Sequence, residues 1–496
     1  MEMQFDKIPM SYLHKLLGGL QSEEQTLEVR LPDGMPDIGR VLGAWGQVIV
    51  RGKEWNGDHM AVSCGVMAWV LYMPEDEDGP RSVEAWLPFS MKWELPESQY
   101  DGKIMVSCLL RDIDARSTSA RKLILRANLQ AMGEAWLNGQ ALIPTPGDLP
   151  EDVAVLTASY PVLLPREAGE KAFLLEDTCT PGVKPEKLLY YCLQPEILDK
   201  KVMAGKVVFR GNGNLRVLYR GDDGQLHTWD CDLPFSQYAD LEGQYDQDPT
   251  VSVQVCVTSL DVALDENGQL LVKAGILGQY LLCERSMVTV AEDAYSPCRT
   301  VKLWQEQLEL PAVLDQMNQT VHAEQSVQAE NRQVVDVSFY PAYGQMRRTE
   351  NGVQMSLPGH FQTLYYDADG ELRCLVTPWE GMWTTDTAED SVVATQIVAI
   401  GKPQVIPGVA DITLRAQAEV EAVVTSGQGI SALVGIELGE PEKPDKNRPS
   451  LILCRKGNRR LWDVAKQTGS TVESIMQTNG LEGEPEDNRI LLIPVS

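Results

Sequence analysis

At 496 residues, with 43% apolar content and a formal charge of −28 from 71 acids against 43 bases, the chain is globular and too long for one core. That length suggests roughly three or four domains. The acid excess opposes phosphate backbones and anionic lipid, which argues against a nucleic-acid or membrane-surface partner. Solubility is its first consequence, and a basic or amphiphilic protein surface is the partner it favours.

The N-terminus, MEMQFDKIPMSYLHKLLGGL, carries early acids and no basic-then-apolar pattern, so no secretory signal is read there and a cytoplasmic location is expected. No apolar run reaches the ~20 residues of a membrane helix. The spacing in IPMSYLHKLLGGL predicts one short helix inside a helical lead-in over residues 1–30. Beyond it, period-two alternation dominates and helical periodicity nearly disappears until the last fifty residues.

The chain then repeats itself. Residues 69–93 (WVLYMPEDEDGPRSVEAWLPFSMKW), 216–240 (RVLYRGDDGQLHTWDCDLPFSQYAD) and 363–383 (TLYYDADGELRCLVTPWEGMW) share a strand ending in Tyr72, Tyr219 or Tyr365. An acid-Gly turn follows at Asp78-Gly79, Asp223-Gly224 and Asp369-Gly370, then a return strand to Pro88-Phe89, Pro234-Phe235 or Pro378-Trp379. Asp-Gly between alternating apolar runs predicts a hairpin, because both residues tolerate positive φ. A second strand pair recurs: KLILRA (122–127), QLLVKA (269–274) and DITLRA (411–416) each follow an earlier strand, at 103–114, 251–262 and 391–400. The expected fold is mainly β, with three repeated antiparallel sandwich- or barrel-like units and a small βααβ module. The boundaries read as a first unit over 31–142, a lead-in and second unit over 143–296, and a third, divergent unit over 297–438. A charged, proline-spaced linker over 439–450 precedes the module at 451–496.

Candidate chemistry is thin. Ser119-Ala120-Arg121-Lys122 has S-x-x-K spacing but falls in a polar turn without companion motifs. Gly211-Asn212-Gly213 precedes no helix and reads as a hairpin or bulge, not a phosphate loop. Asp112 and Asp114 share a strand face, yet only Asp114 has a counterpart (Asp261) in the second copy. Asp265-Glu266-Asn267-Gly268 lacks EF-hand spacing and reads as a strand connection. Ten cysteines form no CxxC pair, and several, such as Cys256 and Cys283, sit inside apolar strands, the pattern of buried reduced thiols. Phe89, Trp93, Phe235, Trp379 and Trp383 read as core, with an interaction face as the alternative. No catalytic residue, metal or cofactor is expected, and the chain reads as a non-enzyme.

At the C-terminus, LWDVAKQTGSTVESIMQTNGL predicts a helix from Leu461 to Gln467, a break at Thr468-Gly469-Ser470, and a second helix from about Val472 to Asn479 capped by Gly480. A closing strand runs from Arg489 to Pro494. With Leu461, Trp462, Val464, Ala465, Ile475, Asn479 and Leu491-Leu492-Ile493-Pro494 in place, this stretch resembles the LysM module of proteins that handle cell-wall glycan. It departs from that pattern where Gly-Asp-Thr normally precedes Leu-Trp. Gly457 stands one residue early, and Asn458, Arg459 and Arg460 replace the small acid and hydroxyl that line the sugar groove. Arg455, Lys456, Arg459 and Arg460 form a basic island in an acidic chain, suited to an acidic protein surface; a plain solvated helix start is the alternative.

Repeated β units with VLY, acid-Gly and LPFS landmarks followed by such a module resemble the SipL-like family of spore-morphogenesis proteins, which carry the SPOCS domain. The resemblance implies a non-enzymatic role in the mother cell at the forespore surface, with the module contacting a polymerising morphogenetic ATPase, SpoIVA. The partner-contacting residues expected on the module are Arg455, Lys456, Asn458, Arg459, Arg460, Trp462 and Asn479. Binding of peptidoglycan or N-acetylglucosamine through the same module is the alternative.

Overall fold

The computed structural model describes residues 1–96, 102–245, 249–310, 313–328, 333–408, 411–426, 429–441 and 449–495. After a short strand Glu2–Gln4 (β1), the first unit contains Asp6–Arg30 (β2), Ile38–Asn56 (β3), His59–Pro74 (β4), Arg81–Glu94 (β5), Lys103–Ser119 (β6) and Lys122–Thr145 (β7). These form two antiparallel sheets, β3-β4-β5 and β2-β7-β6. Ala154–Cys179 (β8), Pro185–Met203 (β9), Lys206–Gly221 (β10), Leu226–Asp240 (β11), Thr250–Leu264 (β12) and Leu270–Tyr295 (β13) repeat that plan as β9-β10-β11 and β8-β13-β12. A connecting strand, Val301–Leu308 (β14), leads to the third unit.

That unit holds Val313–Gln328 (β15), Gln333–Pro341 (β16), Met346–Arg348 (β17), Gly352–Tyr366 (β18), Leu372–Asp386 (β19), Ser391–Ile400 (β20), Gln404–Pro407 (β21) and Asp411–Ser426 (β22). Here β18 pairs β16, β17 and β19, while β22 pairs β15, β20 and β21. Each of the first two units is thus a three-strand meander facing a sheet in which the unit's last strand runs between its first and fifth, and in the third β22 likewise runs between β15 and β20. Ile430–Leu438 (β23) joins β1 and β14 in a separate sheet, tying the chain's first residues to the exit of the third unit. The C-terminal module is Leu451–Arg455 (β24), Leu461–Thr468 (α1), Val472–Asn479 (α2) and Ile490–Pro494 (β25), with β24 and β25 antiparallel. Among the described residues no helix is long and apolar enough to cross a membrane.

The repeated landmarks have structural roles. Gly79, Gly224 and Gly370 take φ of 81°, 74° and 79° in the hairpin turns, the left-handed region that an Asp-Gly turn requires. The Tyr72 and Tyr219 hydroxyls donate to the carbonyls of Pro36 and Val183 at 3.0 and 3.1 Å, so each pins the chain just before its unit's second strand. Pro88 and Pro234 lie on the outer strands β5 and β11, where no ladder N–H is missed on the free side. Phe89, Trp93, Phe235 and Trp383 are buried, and Trp379 packs half-buried against the third unit's core.

The expected N-terminal helix is overturned: residues 6–30 are a strand paired along β7. A bulge between Lys15 and Leu17 inserts one residue and changes the inward phase, so alternating strand positions acquire the three-to-four spacing of a helix. Similarly, the lead-in expected at the start of 143–296 contains β8, the first strand of the second unit, and the opening of 297–438 contains β15, the first strand of the third. Each is the outer strand of its sheet, and in QSEEQTLEV of β2 or TVHAEQSVQ of β15 few apolar side chains mark the inward face. Gly211 marks a register shift between β10 and β9, as a bulge reading requires. Ser119-Lys122 closes the β6–β7 hairpin, and Asp265 accepts from the backbone N–H of Asn267 and Gln269 in its turn. The proline-spaced segment 440–450 lies largely outside the described residues.

The units close on one another in a triangle. The second unit's core is continuous with Trp45, Trp69 and Leu71 of the first and with Leu364 and Leu372 of the third. Buried glutamines stitch two seams by pairing with open backbone groups. Gln279 binds both N–H and C=O of Val106 at 3.1 and 2.8 Å, and Gln130 does the same for Tyr343 at 2.8 and 3.0 Å. At the third seam Asp336, fully buried, accepts from Arg216 Nε at 2.7 Å and from the Tyr190 hydroxyl. Burial and then the Asp336 charge push the Tyr190 hydroxyl up, so it stays a donor. Burial works against the Arg216 charge, but the carboxylates, Asp336 foremost and then Asp230, outweigh it and hold the guanidinium above its usual range.

His360, stacked on Tyr340 at 5.1 Å, is lowered by burial to about 4. The unfolded chain therefore binds a proton that the native state refuses between about pH 6.5 and 4. Stability from this group is intact above the unfolded value and is lost as pH falls, by about 2 kcal/mol at pH ~4.5 after allowance for partial exposure. Denaturant unfolding of wild type and His360→Gln at neutral pH and pH ~4.5 should show a shallower loss in the variant. Equal slopes would remove His360 as the source.

Candidate docking site on the C-terminal module

The module's two helices end as their sequence dictates. Gly469 and Gly480 take φ of 64° and 60° at the C-caps, and the Thr471 hydroxyl accepts the Ser474 N–H at 3.1 Å to start α2. Inward residues Leu461, Val464, Ala465, Ile475, Leu491 and Ile493 form a small core, and Tyr295 from the end of β13 enters it. The Tyr295 ring meets Trp462 edge-on at 4.7 Å, and its hydroxyl donates to the Ser470 carbonyl at 3.0 Å. Beside it, the Asp293 carboxylate accepts from Trp462 Nε1 at 2.7 Å and from Lys466 Nζ at 2.7 Å. Ala154 and Leu156 of β8 complete the contact. The module is therefore clasped to the second unit, along the face of α1 that carries Trp462.

The structure separates the seven residues expected to touch a partner. Trp462 is buried in the clasp. Asn479 bridges helix and closing strand, donating to the carbonyls of Ile475 and Leu492 and accepting the Leu492 N–H at 2.8 Å. Lys456 is buried, its ammonium on Asp487 at 3.0 Å and Glu484 at 3.3 Å. The Asp487 hydrogen bond leads in holding Lys456 above its usual range, with Glu484 adding to it. Arg459 folds back onto the carbonyls of Lys456 and Arg455 and onto Gln467. Arg455, Asn458 and Arg460 remain exposed. Arg460 lies 3.6 Å from Asp463, whose carboxylate also accepts the Arg460 N–H at the start of α1.

A feature that charge reading missed lies on the outer face of the β24–β25 ladder. Leu451, Leu453 and Ile490 are 50%, 73% and 64% exposed, with Arg455 opposite Ile490 in register. Strand alternation could have revealed it: in LILCR, Ile452 and Cys454 point to the module core, so Leu451, Leu453 and Arg455 must point away. Exposed apolar side chains grouped on one face, rimmed by a cation, mark a contact surface more than scattered ones do. The second ion-paired loop matters as well. Lys456 on the loop before α1 grips Glu484 and Asp487 on the loop after α2, drawing those two loops together.

The centre of the triangle holds a cavity of about 190 Å³ walled by strands from all three units, including Gln47, Tyr190, Arg216, Gln254, Tyr340 and Gln396. Arg216 and Asp230 line it, but their ladder equivalents in the other two units do not. The ladder position that carries Arg216 opposite Asp230 in the second unit carries Trp69 opposite Glu84 in the first and Gln362 opposite Val376 in the third. Among the described residues, no group of three or more His, Cys, Asp or Glu is placed to hold a metal ion.

No curated protein and no solved structure matches the chain. Residues 184–265 match the family model described as SipL, SPOCS domain. That span starts at β9 and ends at β12, so the second unit is similar to the SPOCS domain of SipL across its second to fifth strands, a likeness that ties the chain to sporulation.

Proposed function

We propose that the chain is a non-enzymatic scaffold of spore-envelope assembly that works in the mother cell at the forespore surface. In this reading its C-terminal module, of the LysM type, docks a SpoIVA-type morphogenetic ATPase. The observation that carries the reading is the outward ladder face of the module, where Leu451, Leu453 and Ile490 are exposed beside Arg455. An apolar centre with a cationic rim, on a chain of net charge −28, fits an apolar protein patch edged by acids. The three interlocked units serve as the rigid body that presents this face. Support for a sugar ligand is weaker, because Asn458, Arg459 and Arg460 stand where the LysM pattern has the small acid and hydroxyl that line the sugar groove.

Capture of the ATPase by immobilised full-length chain tests the reading. Leu453→Asp combined with Arg455→Glu should weaken binding at least tenfold, roughly 1.4 kcal/mol or more, with an unchanged melting temperature because both side chains are exposed. Unaltered capture by the double variant would overturn the assignment of this face. Saturable peptidoglycan binding, competed by N-acetylglucosamine oligomers, would favour the wall-binding alternative.

A further inference from the structure

All ten cysteines are free thiols, and two of them are placed for chemistry. Cys179 is the last residue of β8 and Cys231 lies within β11, on opposite sheets of the second unit. They are 52 residues apart in sequence, yet their sulfurs lie 3.3 Å from each other. A disulfide bond spans about 2.05 Å, so closure asks the sulfurs to approach by roughly 1.2 Å, within reach of small side-chain rotations. The two differ in access. Cys179 is 6% exposed, whereas Cys231 is only partly covered, with its sulfur near the Asp232 carbonyl at the rim.

We infer that Cys179 and Cys231 form an oxidative crosslinking site, which a hydroperoxide converts into an intramolecular disulfide that fastens the two sheets of the second unit together. The Cys231 thiolate attacks the peroxide O–O bond, giving a sulfenic acid and releasing one water. The Cys179 sulfur then displaces the sulfenic hydroxyl, which leaves as a second water. Two thiols and one hydrogen peroxide thus become one disulfide and two waters, with two electrons passing from sulfur to oxygen. In a reducing compartment the pair stays open.

Burial, then the Cys231 thiol and Asp177, push the Cys179 thiol up to about 12, so its displacement step is the slower one and the sulfenic acid on Cys231 has time to be trapped. Cys108, only partly buried, is raised first by its contact with Cys64 and then by burial. The crosslink closes a long loop, which restricts the unfolded chain strongly. It also fixes the far end of β8, whose first residues Ala154 and Leu156 hold the module.

The test uses the full chain, reduced, desalted, exposed to hydrogen peroxide, blocked with iodoacetamide and mapped by peptide mass. A Cys179–Cys231 linked peptide, about 2 Da lighter than its two thiol halves and released by dithiothreitol, is expected. With dimedone present, adduct on Cys231 should replace the link. Oxidised wild type should melt roughly 3–5 °C above reduced wild type. Cys231→Ser should melt like reduced wild type with or without peroxide, which also shows that it folds. Alkylation of both cysteines after peroxide, sulfinic acid on Cys231 without linkage, or an intermolecular dimer would overturn the site. A linked peptide with no rise in melting temperature would overturn the fastening role.

Discussion

Replacing Asp336 by alanine is expected to lower the unfolding free energy by about 3–5 kcal/mol, because it strips the partner from a buried guanidinium. The Asp336 side chain has no exposure, and Arg216 has 13%. After the change Arg216 keeps Asp230, at 3.2 Å on the more exposed side, while the Tyr190 hydroxyl is left with the longer contact to Ser338 Oγ at 3.4 Å. The seam between the second and third units should open first, since Thr228 and Arg216 of one unit both reach Asp336 of the other. Asp336→Asn should cost less, as its carbonyl oxygen still accepts from one of the donors. Pairing Asp336→Leu with Arg216→Met should recover most of the loss, because two apolar side chains need no ionic partner. Denaturant titrations of wild type and these three variants decide the matter. A loss below about 1 kcal/mol in Asp336→Ala would mean that water reaches the pair and screens it.

The second large effect is expected at Tyr295. Truncation to alanine empties a ring site in the module core, removes the edge-on contact to Trp462 and leaves the Ser470 carbonyl without its donor. A large-to-small change of this kind costs about 3–5 kcal/mol, and here the cost falls on the clasp and on the module. Amide exchange should accelerate across Leu461–Asn479 while β9–β12 keep their protection, and the module should be released by protease at lower enzyme concentration. Asp293→Ala should act in the same direction more weakly, since it removes the acceptor for Trp462 and Lys466 but keeps the ring. Uniform loss of protection across all units would show that Tyr295 supports the body as a whole and not the clasp.

The repeat was legible in the chain because its landmarks are local. Asp-Gly turns, a tyrosine near the end of the strand before each turn, and Pro-aromatic steps recur in the same order at similar offsets, and most of these constraints act within one hairpin. The module was legible for the same reason: Gly469, Gly480 and Thr471 set the helix ends by backbone conformation and short-range hydrogen bonds. The first strand of each unit was not. β2, β8 and β15 pair on one side only and carry mixed polar faces, so their state is fixed by a partner strand about a hundred residues later, and in β2 a bulge disguised the phase as helical.

The functional face divides along the same line. Sequence determined an acidic chain with triplicated hairpins, a capped two-helix tip and a local concentration of cations before α1. Which of those cations face outward was only partly local: Arg459 folds onto carbonyls three and four residues before it, whereas Lys456 is turned inward only by tertiary structure, through Glu484 and Asp487 on the loop after α2. The same holds for Trp462, buried by Tyr295 and Asp293 from more than 160 positions earlier, and for the approach of Cys179 to Cys231. Local spacing can specify turns, caps and inward faces. A contact between distant segments depends on which surfaces the packed units leave adjacent, and no single stretch of the chain encodes it.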